Sequence, residues 1–591
     1  MSPVRRRRRR RIPAALAAAA LCALPAAATA APLQASLVAD INPGPAGSAP
    51  DNLTAFGDAL YFAAADEPHG RELWRSDGNG AALLGDINAG IGSSNPSWLT
   101  ATPGGLYFAA STAAFGRELW RANAFGTALV VDLWPGSQSS SPGPIKAIGE
   151  QVYFGADDGT TGTELHWISG SRDVNSGPGD SDPREIVALG ERLIFTAKNA
   201  TSDLELWRLD PSSQAEIVED LNPGPQQTFP NGLTVFGGHV YFAAMEPVAG
   251  RELWRSDGDS MVRARDLRPG TAGSDPSGLL VWGGHLYFTA DDGTSGRELW
   301  RTDGVSSLQR VSDINPGAGS SSPGGLTPFG GRLYFMADDG VHGTELWRTD
   351  GTTSELVSDI NPGPGGSTPV AMMPVAGHLA FIADDGAHGL EPWITDGVTT
   401  SLVADIRPGA AGSITDGPVV AGDAVYLPAD DGVHGSELWR LAPPLPAAGP
   451  PPPPDQTRPD RSVSIRILNT KLAFNRAGKG AVSLACPATE ASGPCRGTII
   501  LRTQKKIRYP ARRVRTVQLA KRNYSVPAGT TRRFTVTLSP AIRSLVRRNV
   551  RTRRVRLAAT VRDAAGNSGS AVKTVKLSIQ PPRPRAPKTR R

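Results

Sequence analysis

Two landmarks keep one separation nine times over in this chain, and that constancy limits its fold more than any other feature. The first is Asp, an apolar residue, two variable positions and Gly, as in DINPG, beginning at Asp40, Asp86, Asp132, Asp173, Asp220, Asp266, Asp313, Asp359 and Asp405. The second is the Glu of an ELW run, at Glu72, Glu118, Glu164, Glu205, Glu252, Glu298, Glu345, Glu391 and Glu437. Each Glu follows its Asp by 32 residues, whereas the distance from Glu to the next Asp ranges from 9 to 15. Length changes are therefore confined to one surface hairpin, RTDG in the regular copies. The 32-residue part is packed too closely to change length.

Within a unit, four short extended runs alternate with turn residues, for example GLLVWG, GHLYFTA, RELWRTD and LQRVSDI between Gly278 and Ile314. Apolar and aromatic residues bounded by Gly, Pro and Asp about every ten positions are the spacing of an all-β protein. Four strands in 46 or 47 residues match one blade of a β-propeller. The first LVADI strand precedes any complete unit, and the last ELW has no such strand after it, so the orphan at one end would complete the orphan at the other. The expected fold is all-β, a β-propeller of about nine four-stranded blades closed by the N-terminal strand. A less regular ring or an open superhelix is the alternative.

In RELWRTD the side chains alternate, placing Glu298 and Trp300 on one face and Leu299 on the other. The nine tryptophans Trp74, Trp120, Trp167, Trp207, Trp254, Trp300, Trp347, Trp393 and Trp439 are expected to fill the wedges between blades. The third copy, ELHW, displaces its Trp by one residue and has the shortest hairpin, so distorted packing is expected there. A buried Glu in every blade is costly unless paired, and each is expected to accept hydrogen bonds from backbone amides or a neighbouring blade. Nine equivalents suit a structural role better than catalysis.

The turn before this strand is ADDG in five copies: Asp157 and Asp158, Asp291 and Asp292, Asp338 and Asp339, Asp384 and Asp385, Asp430 and Asp431. Asp caps its own turn and Gly takes positive φ there. Paired carboxylates can also ligate calcium, although the spacing is not that of an EF-hand loop. His342, His388 and His434 follow these turns and are read as caps.

With these residues in view, the chain resembles the bacterial repeat family named for the motif ELWxxDGT, which stands here as ELWRTDGTTS at residues 345–354; the resemblance spans about residues 33–441. It implies an exported protein and no assigned activity. ADDGTSGRELW is also similar to the tryptophan-docking motif of eight-bladed quinoprotein dehydrogenases, where it staples blades together. The adjacent cysteines expected of a quinone site are absent from residues 31–460. Asp-box sialidases are a weaker echo, since the Trp lies too far from the Asp and no arginine triad is identifiable.

The flanks read differently. Arg5 to Arg11, an apolar run and Ala28-Thr29-Ala30 form a secretory signal over residues 1–30. The propeller is assigned to 31–442, a stiff Pro-rich spacer to 443–460, a basic β-sandwich to 461–580 and a basic disordered tail to 581–591. From residue 461 onward 32 Lys and Arg face only Glu490 and Asp563, a net of +30, whereas residues 12–460 carry 23 basic and 54 acidic residues, a net of −31. Such opposed halves imply different partners. In the basic half, apolar residues alternate in runs such as Val555, Leu557, Ala559 and Val561. Ser539 and Pro540 open one short helix. Cys486 and Cys495 are expected to form a disulfide in an oxidising compartment. The pattern resembles immunoglobulin-like modules at the ends of actinobacterial surface proteins.

Arg554, Arg556 and Arg562 form a row for a polyanion such as cell-wall polymer, acidic polysaccharide, membrane lipid or extracellular DNA. Specific nucleic-acid recognition is disfavoured by the scarcity of aromatics there. The function expected is non-enzymatic binding or adhesion, the acidic propeller presenting a ligand-binding face and the basic domain attaching to an anionic cell-surface polymer or polysaccharide, with other proteins as further partners. No cofactor is expected other than the calcium considered above. The alternatives are a quinoprotein-like oxidoreductase or glycan-acting hydrolase built on the propeller, and an architectural matrix protein. An enzyme should break the repeat with residues unique to one blade that converge on the channel; the irregular third unit, HWISGSRDVNSGPGDSDPRE, is the one candidate, and it reads as a deletion.

Overall fold

The computed structural model describes residues 31–444 except 125, 202, 211–213 and 223–227, and in the C-terminal part 466–468, 471–475, 477, 479–486, 495–503, 507–508, 514–515, 518–526, 530–540, 542, 544, 554–562 and 568–579. The stretches read as a secretory leader and a basic tail, and most of the Pro-rich spacer, fall outside them. The chain separates into two compact units, Met1–Ala447 and Ala448–Arg591.

The first unit is a β-propeller. Among its described residues, nine four-stranded antiparallel sheets follow one another along the chain. Blade 1 shows the pattern, with an inner strand Asp51–Phe56, a second strand Ala59–Asp66, a third strand Gly70–Ser76 carrying the ELW run, and an outer strand Ala81–Gly85. Successive side chains of a strand point to opposite faces, so the unbroken burial from Ala59 to Ala64 means that both faces of the second strand are covered by other blades. The apolar run LYFAAA is suited to that place. Inner strands touch in sequence round the ring, and Val419–Ala421 of blade 9 touches Asp51–Phe56 of blade 1.

Closure is completed at the rim. Blade 9 consists of Val419–Ala421, Ala424–Asp430, Ser436–Ala442 and, as its outer strand, the N-terminal segment Gln34–Ala39. The last pairing is antiparallel, with Ala35 opposite Leu441 and Leu37 opposite Trp439. The hydrophobic cores lie between blades rather than within them. Tyr61 and Leu73 of blade 1 pack with Leu106, Phe108 and Trp120 of blade 2, while Leu60, Phe62 and Trp74 pack with Tyr426 and Leu438 of blade 9.

In the second unit, Lys479–Ala485 lies between Arg466–Ile467 and Thr531–Thr537. A second run of strands places Lys471–Phe474, Ser568–Ile579, Arg554–Arg562, Cys495–Thr503 and Gln518–Val526 side by side, the first pair parallel. Val482 and Leu484 from the first group share one core with Leu501, Leu557 and Val575 from the second. Cys486 and Cys495 are joined by a disulfide with S–S 2.02 Å. Residues 540, 542 and 544 are helical, and the Ile542 amide donates to Ser539 Oγ at 3.4 Å. The side chains of Arg554, Arg556 and Arg562 lie outside the described part of their strand. No helix among the described residues is long and apolar enough to cross a membrane.

Candidate functional site

The repeat has first to be separated into what holds the ring together and what it leaves open. Glu72 is fully buried. Its carboxylate accepts from the amides of Ile87 at 3.0 Å, Asn88 at 3.3 Å and Ser94 at 2.9 Å, and from the Ser94 hydroxyl at 2.6 Å. All four donors belong to the crossover that carries the chain from blade 1 to blade 2. The Ser94 carbonyl then accepts from the Ser111 amide of blade 2 at 2.7 Å. Glu437 repeats the arrangement with donors from the other end of the chain, the Asn42 amide at 3.0 Å and the Ser48 hydroxyl at 2.6 Å. The carboxylates therefore bind the ring's own connections.

The hydroxyl partner has a sequence signal of its own. Eight residues after each motif Asp stands Ser48, Ser94, Ser140, Ser181, Thr228, Ser274, Ser321, Ser367 or Ser413, each of them buried. A Ser or Thr at one fixed offset in every copy is a signal of the same quality as the Glu itself.

Burial pushes the carboxyls at positions 72, 118, 164, 252, 298, 345, 391 and 437 upward, and their hydrogen bonds only partly offset it. Glu205 departs furthest. Its Oε1 accepts from the Thr228 hydroxyl at 2.7 Å, its Oε2 is buried without a partner among the described residues, and burial raises it to about 7. A carboxyl whose pKa is higher in the folded than in the unfolded state stabilises fully below the unfolded value, and that stabilisation is lost as pH rises through the folded value. Denaturant unfolding is therefore expected to show a Glu205 contribution on the order of 2–3 kcal/mol that is lost between pH 5 and pH 8 and is absent in Glu205→Gln, beside the loss from the raised imidazoles in the same window. An unchanged slope in that variant would assign the dependence elsewhere.

The indoles occupy the wedges. Phe62 stands opposite Trp74 and Phe242 opposite Trp254 in their blades. The indole nitrogens of Trp207 and Trp300 donate to Ala197 and Ala290 at 2.9 and 3.1 Å. In blade 3 Trp167 still lies between blades but in the other wedge, against the core that blades 3 and 4 share. There Phe154 stands opposite His166, so the imidazole fills the wedge, stacked on Phe154 at 6.0 Å, and Trp167 is turned to the other face opposite Tyr153. The one-residue displacement is enough, because neighbouring positions on a strand face opposite ways.

The acidic turns are occupied by their own amides. In each pair the first carboxylate (Asp157, Asp291, Asp338, Asp384, Asp430) accepts from the following Gly amide at 2.7 or 2.8 Å. The second (Asp158, Asp292, Asp339, Asp385, Asp431) accepts from the amides two and three residues on. Asp158 is lowered to about 2, burial being outweighed by donors from Thr160 and Thr161. His342, His388 and His434 each place Nδ1 2.7 Å from their own Asp, which raises these imidazoles. Among the described residues no group of three or more His, Cys, Asp or Glu is placed to hold a metal ion.

What remains open lies at the channel. The inner strands of blades 1, 2 and 4 to 8 bulge at a residue with positive φ: Asn52, Trp98, Glu185, Gly232, Gly278, Gly325 and Ala371 lie between 47° and 73°. At three of these positions the side chain reaches the next blade. Asn52 Oδ1 accepts from the Trp98 amide at 3.3 Å, the Trp98 indole lies against Gly143, and Glu185 Oε2 accepts from the Leu233 amide at 3.0 Å. Gly232 and Gly278 have no side chain to make that contact, and a cavity of about 520 Å³ opens along blades 3 to 6. Its floor is Ile145, Ile186, Val187, Leu233 and Leu279, and Lys146, Arg184 and Glu185 stand exposed at its edge. Three charged residues of blades 3 and 4 thus converge on the channel; at the register of Lys146 blades 1, 2, 5 and 7 carry Thr, at that of Glu185 blades 5, 6 and 7 carry Gly, and at that of Arg184 blade 1 carries Asp51 and blades 2, 5 and 6 carry Ser or Asn.

No family model and no curated protein matches the chain. Among solved structures it is similar to a lectin from Burkholderia pseudomallei, at 13% identity and TM-score 0.25 over 57% of this chain and 98% of that one. It is similar to the WD40 domain of SCAP from fission yeast, at 10% identity and TM-score 0.31 over 70% and 98%. A third likeness is to Aleuria aurantia lectin in complex with alpha-methyl-L-fucoside, at 14% identity and TM-score 0.22 over 44% and 94%.

Proposed function

We propose that this is an exported, non-enzymatic binding or adhesion protein, whose acidic propeller presents a ligand at its channel and whose basic C-terminal unit attaches to an anionic cell-surface polymer. The observation that carries the reading is the cleft at Lys146, Arg184 and Glu185, where the repeat is broken at the channel while its recurring carboxylates are engaged in holding crossovers and turns. An apolar floor edged by two cations and a carboxylate suits a ligand with both an anionic group and an apolar surface. The tryptophans and buried glutamates are then structural pins. The disulfide and the leader-like N-terminus support export, and the charge of the second unit supports attachment by screened electrostatics.

The full chain is expected to sediment with isolated cell walls at about 50 mM NaCl and to be released near 500 mM, where the Debye length is only a few ångströms. In Lys146→Glu/Arg184→Glu, wall attachment should persist while capture of anionic glycans on an array falls at least about tenfold. Wall binding indifferent to salt would remove the tether. Glycan capture unaffected by the double variant would remove the channel site.

A further inference from the structure

The Tyr of the second strand and the Arg after the ELW run form a second recurring device, on the face opposite the buried Glu. Tyr241 and Arg255 of blade 5 both donate to the carbonyl of Gly304 in the hairpin of blade 6, at 3.1 and 2.6 Å. Arg348 of blade 7 donates to Gly397 O of blade 8 at 2.6 Å, and Arg208 of blade 4 to Gly258 O of blade 5 at 3.2 Å. These hairpin glycines have φ between 79° and 94°, and a Cβ on Gly304 or Gly397 would sit 2.7 to 2.8 Å from the tyrosine hydroxyl of the preceding blade. The clamp thus needs an Arg on one blade and a Gly on the next.

Between blades 3 and 4 both halves are replaced. Trp167 stands where seven other blades carry Arg, and the blade 4 hairpin reads Asp210-Pro211 where blades 1, 5, 6, 7 and 8 read Asp-Gly. Proline is held at negative φ and cannot occupy that position. In place of the clamp there is a groove of about 300 Å³ lined by Trp167, Tyr153, Arg172, Glu191, Arg192 and Asp210. The indole and phenol lie 6.2 Å apart with planes at 48°, and the Arg172 guanidinium sits 5.8 Å from the indole centroid. At the lip, Arg192 Nε pairs with Asp210 at 2.7 Å.

We infer that this groove is a saccharide-binding site for a neutral pyranose. A sugar ring combines an apolar C–H face with equatorial hydroxyls that both donate and accept. Two aromatic surfaces meet the first requirement, and forked guanidinium donors beside carboxylate acceptors, two of each sign, meet the second without favouring a charged ligand. The site is distinct from the channel cleft and does not depend on it.

The test is saturation-transfer NMR on the full chain with millimolar methyl glycosides of glucose, galactose, mannose and N-acetylglucosamine. At least one is expected to receive saturation on its ring C–H protons. Trp167→Arg, which installs the residue of the regular blades, should weaken that glycoside at least tenfold with an unchanged melting temperature, and Lys146→Glu/Arg184→Glu should leave it bound. If Trp167→Arg does not fold, Glu191→Ala at the exposed lip takes its place with the same expected loss. No transfer to any of the four glycosides, binding untouched by these variants, or binding only of aromatic or Pro-rich peptides would overturn the assignment.

Discussion

Deletion of residues 31–39 is expected to destabilise the propeller by more than about 4 kcal/mol and to make it self-associate. Leu33 is 4% exposed, and Leu37 and Val38 are partly covered, so their burial alone contributes roughly that much. The ladder with Ser436–Ala442 is lost as well, leaving an unpaired edge on the strand that carries the ninth ELW, the kind of edge that pairs with another chain. Appending the sequence QASLVA after Ala442 through a short hairpin should restore the monomer and most of the lost stability, because the same strand then arrives at the same place from the other terminus. Size-exclusion chromatography with light scattering and a urea titration would check both. A deletion variant that stays monomeric and unfolds at the parent midpoint would show that the ring does not depend on its terminal strand.

The second large effect is expected at the crossover pins. Glu298 is fully buried and accepts from the Ile314 amide at 3.2 Å, the Ser321 amide at 3.0 Å and the Ser321 hydroxyl at 2.5 Å. Glu298→Ala leaves those donors in a dry site, at a cost of about 3–5 kcal/mol. Ser321→Ala removes one donor and leaves the carboxylate its amides, so about 1–2 kcal/mol is expected. The double variant should cost less than the sum, since the serine then has no acceptor to miss. Additive losses in urea unfolding would mean that the two groups act separately.

These expectations mark how far the sequence could be read. A fixed 32-residue interval exposed the blade, and the orphan first and last segments exposed the closure, because both are properties of chain order. The buried Glu and its need for backbone amides were recognisable from its place beside a wedge-filling Trp, yet which amides it takes was not, since they come from a loop whose backbone leaves no mark in composition. Ser94 does leave a mark, at a constant offset, but a small uncharged residue among Gly and Pro reads as one more turn former until its acceptor is known. The channel cleft was beyond reach for another reason. Gly232 and Gly278 look like ordinary turn residues until the inner strand is seen to bulge with positive φ, and Lys146 and Arg184 acquire meaning only when four blades are set side by side. The groove at Trp167 lay between: its displaced indole was visible in ELHW, but the missing clamp could be seen only once the regular one had a geometry.

The pairing of Leu37 with Trp439 joins the earliest part of the ring to be synthesised with the latest. Every other strand of the first eight blades finds its partners within its own hairpins, so these sheets can form while the chain is still emerging. The opening strand has nothing to pair with until some four hundred residues have followed it, and the loop-closure entropy of that span must be met before the contact gives anything back. Assembly is thus sequential with a delayed final lock, and the waiting strand is the segment most open to proteolysis or capture by a holdase during biogenesis.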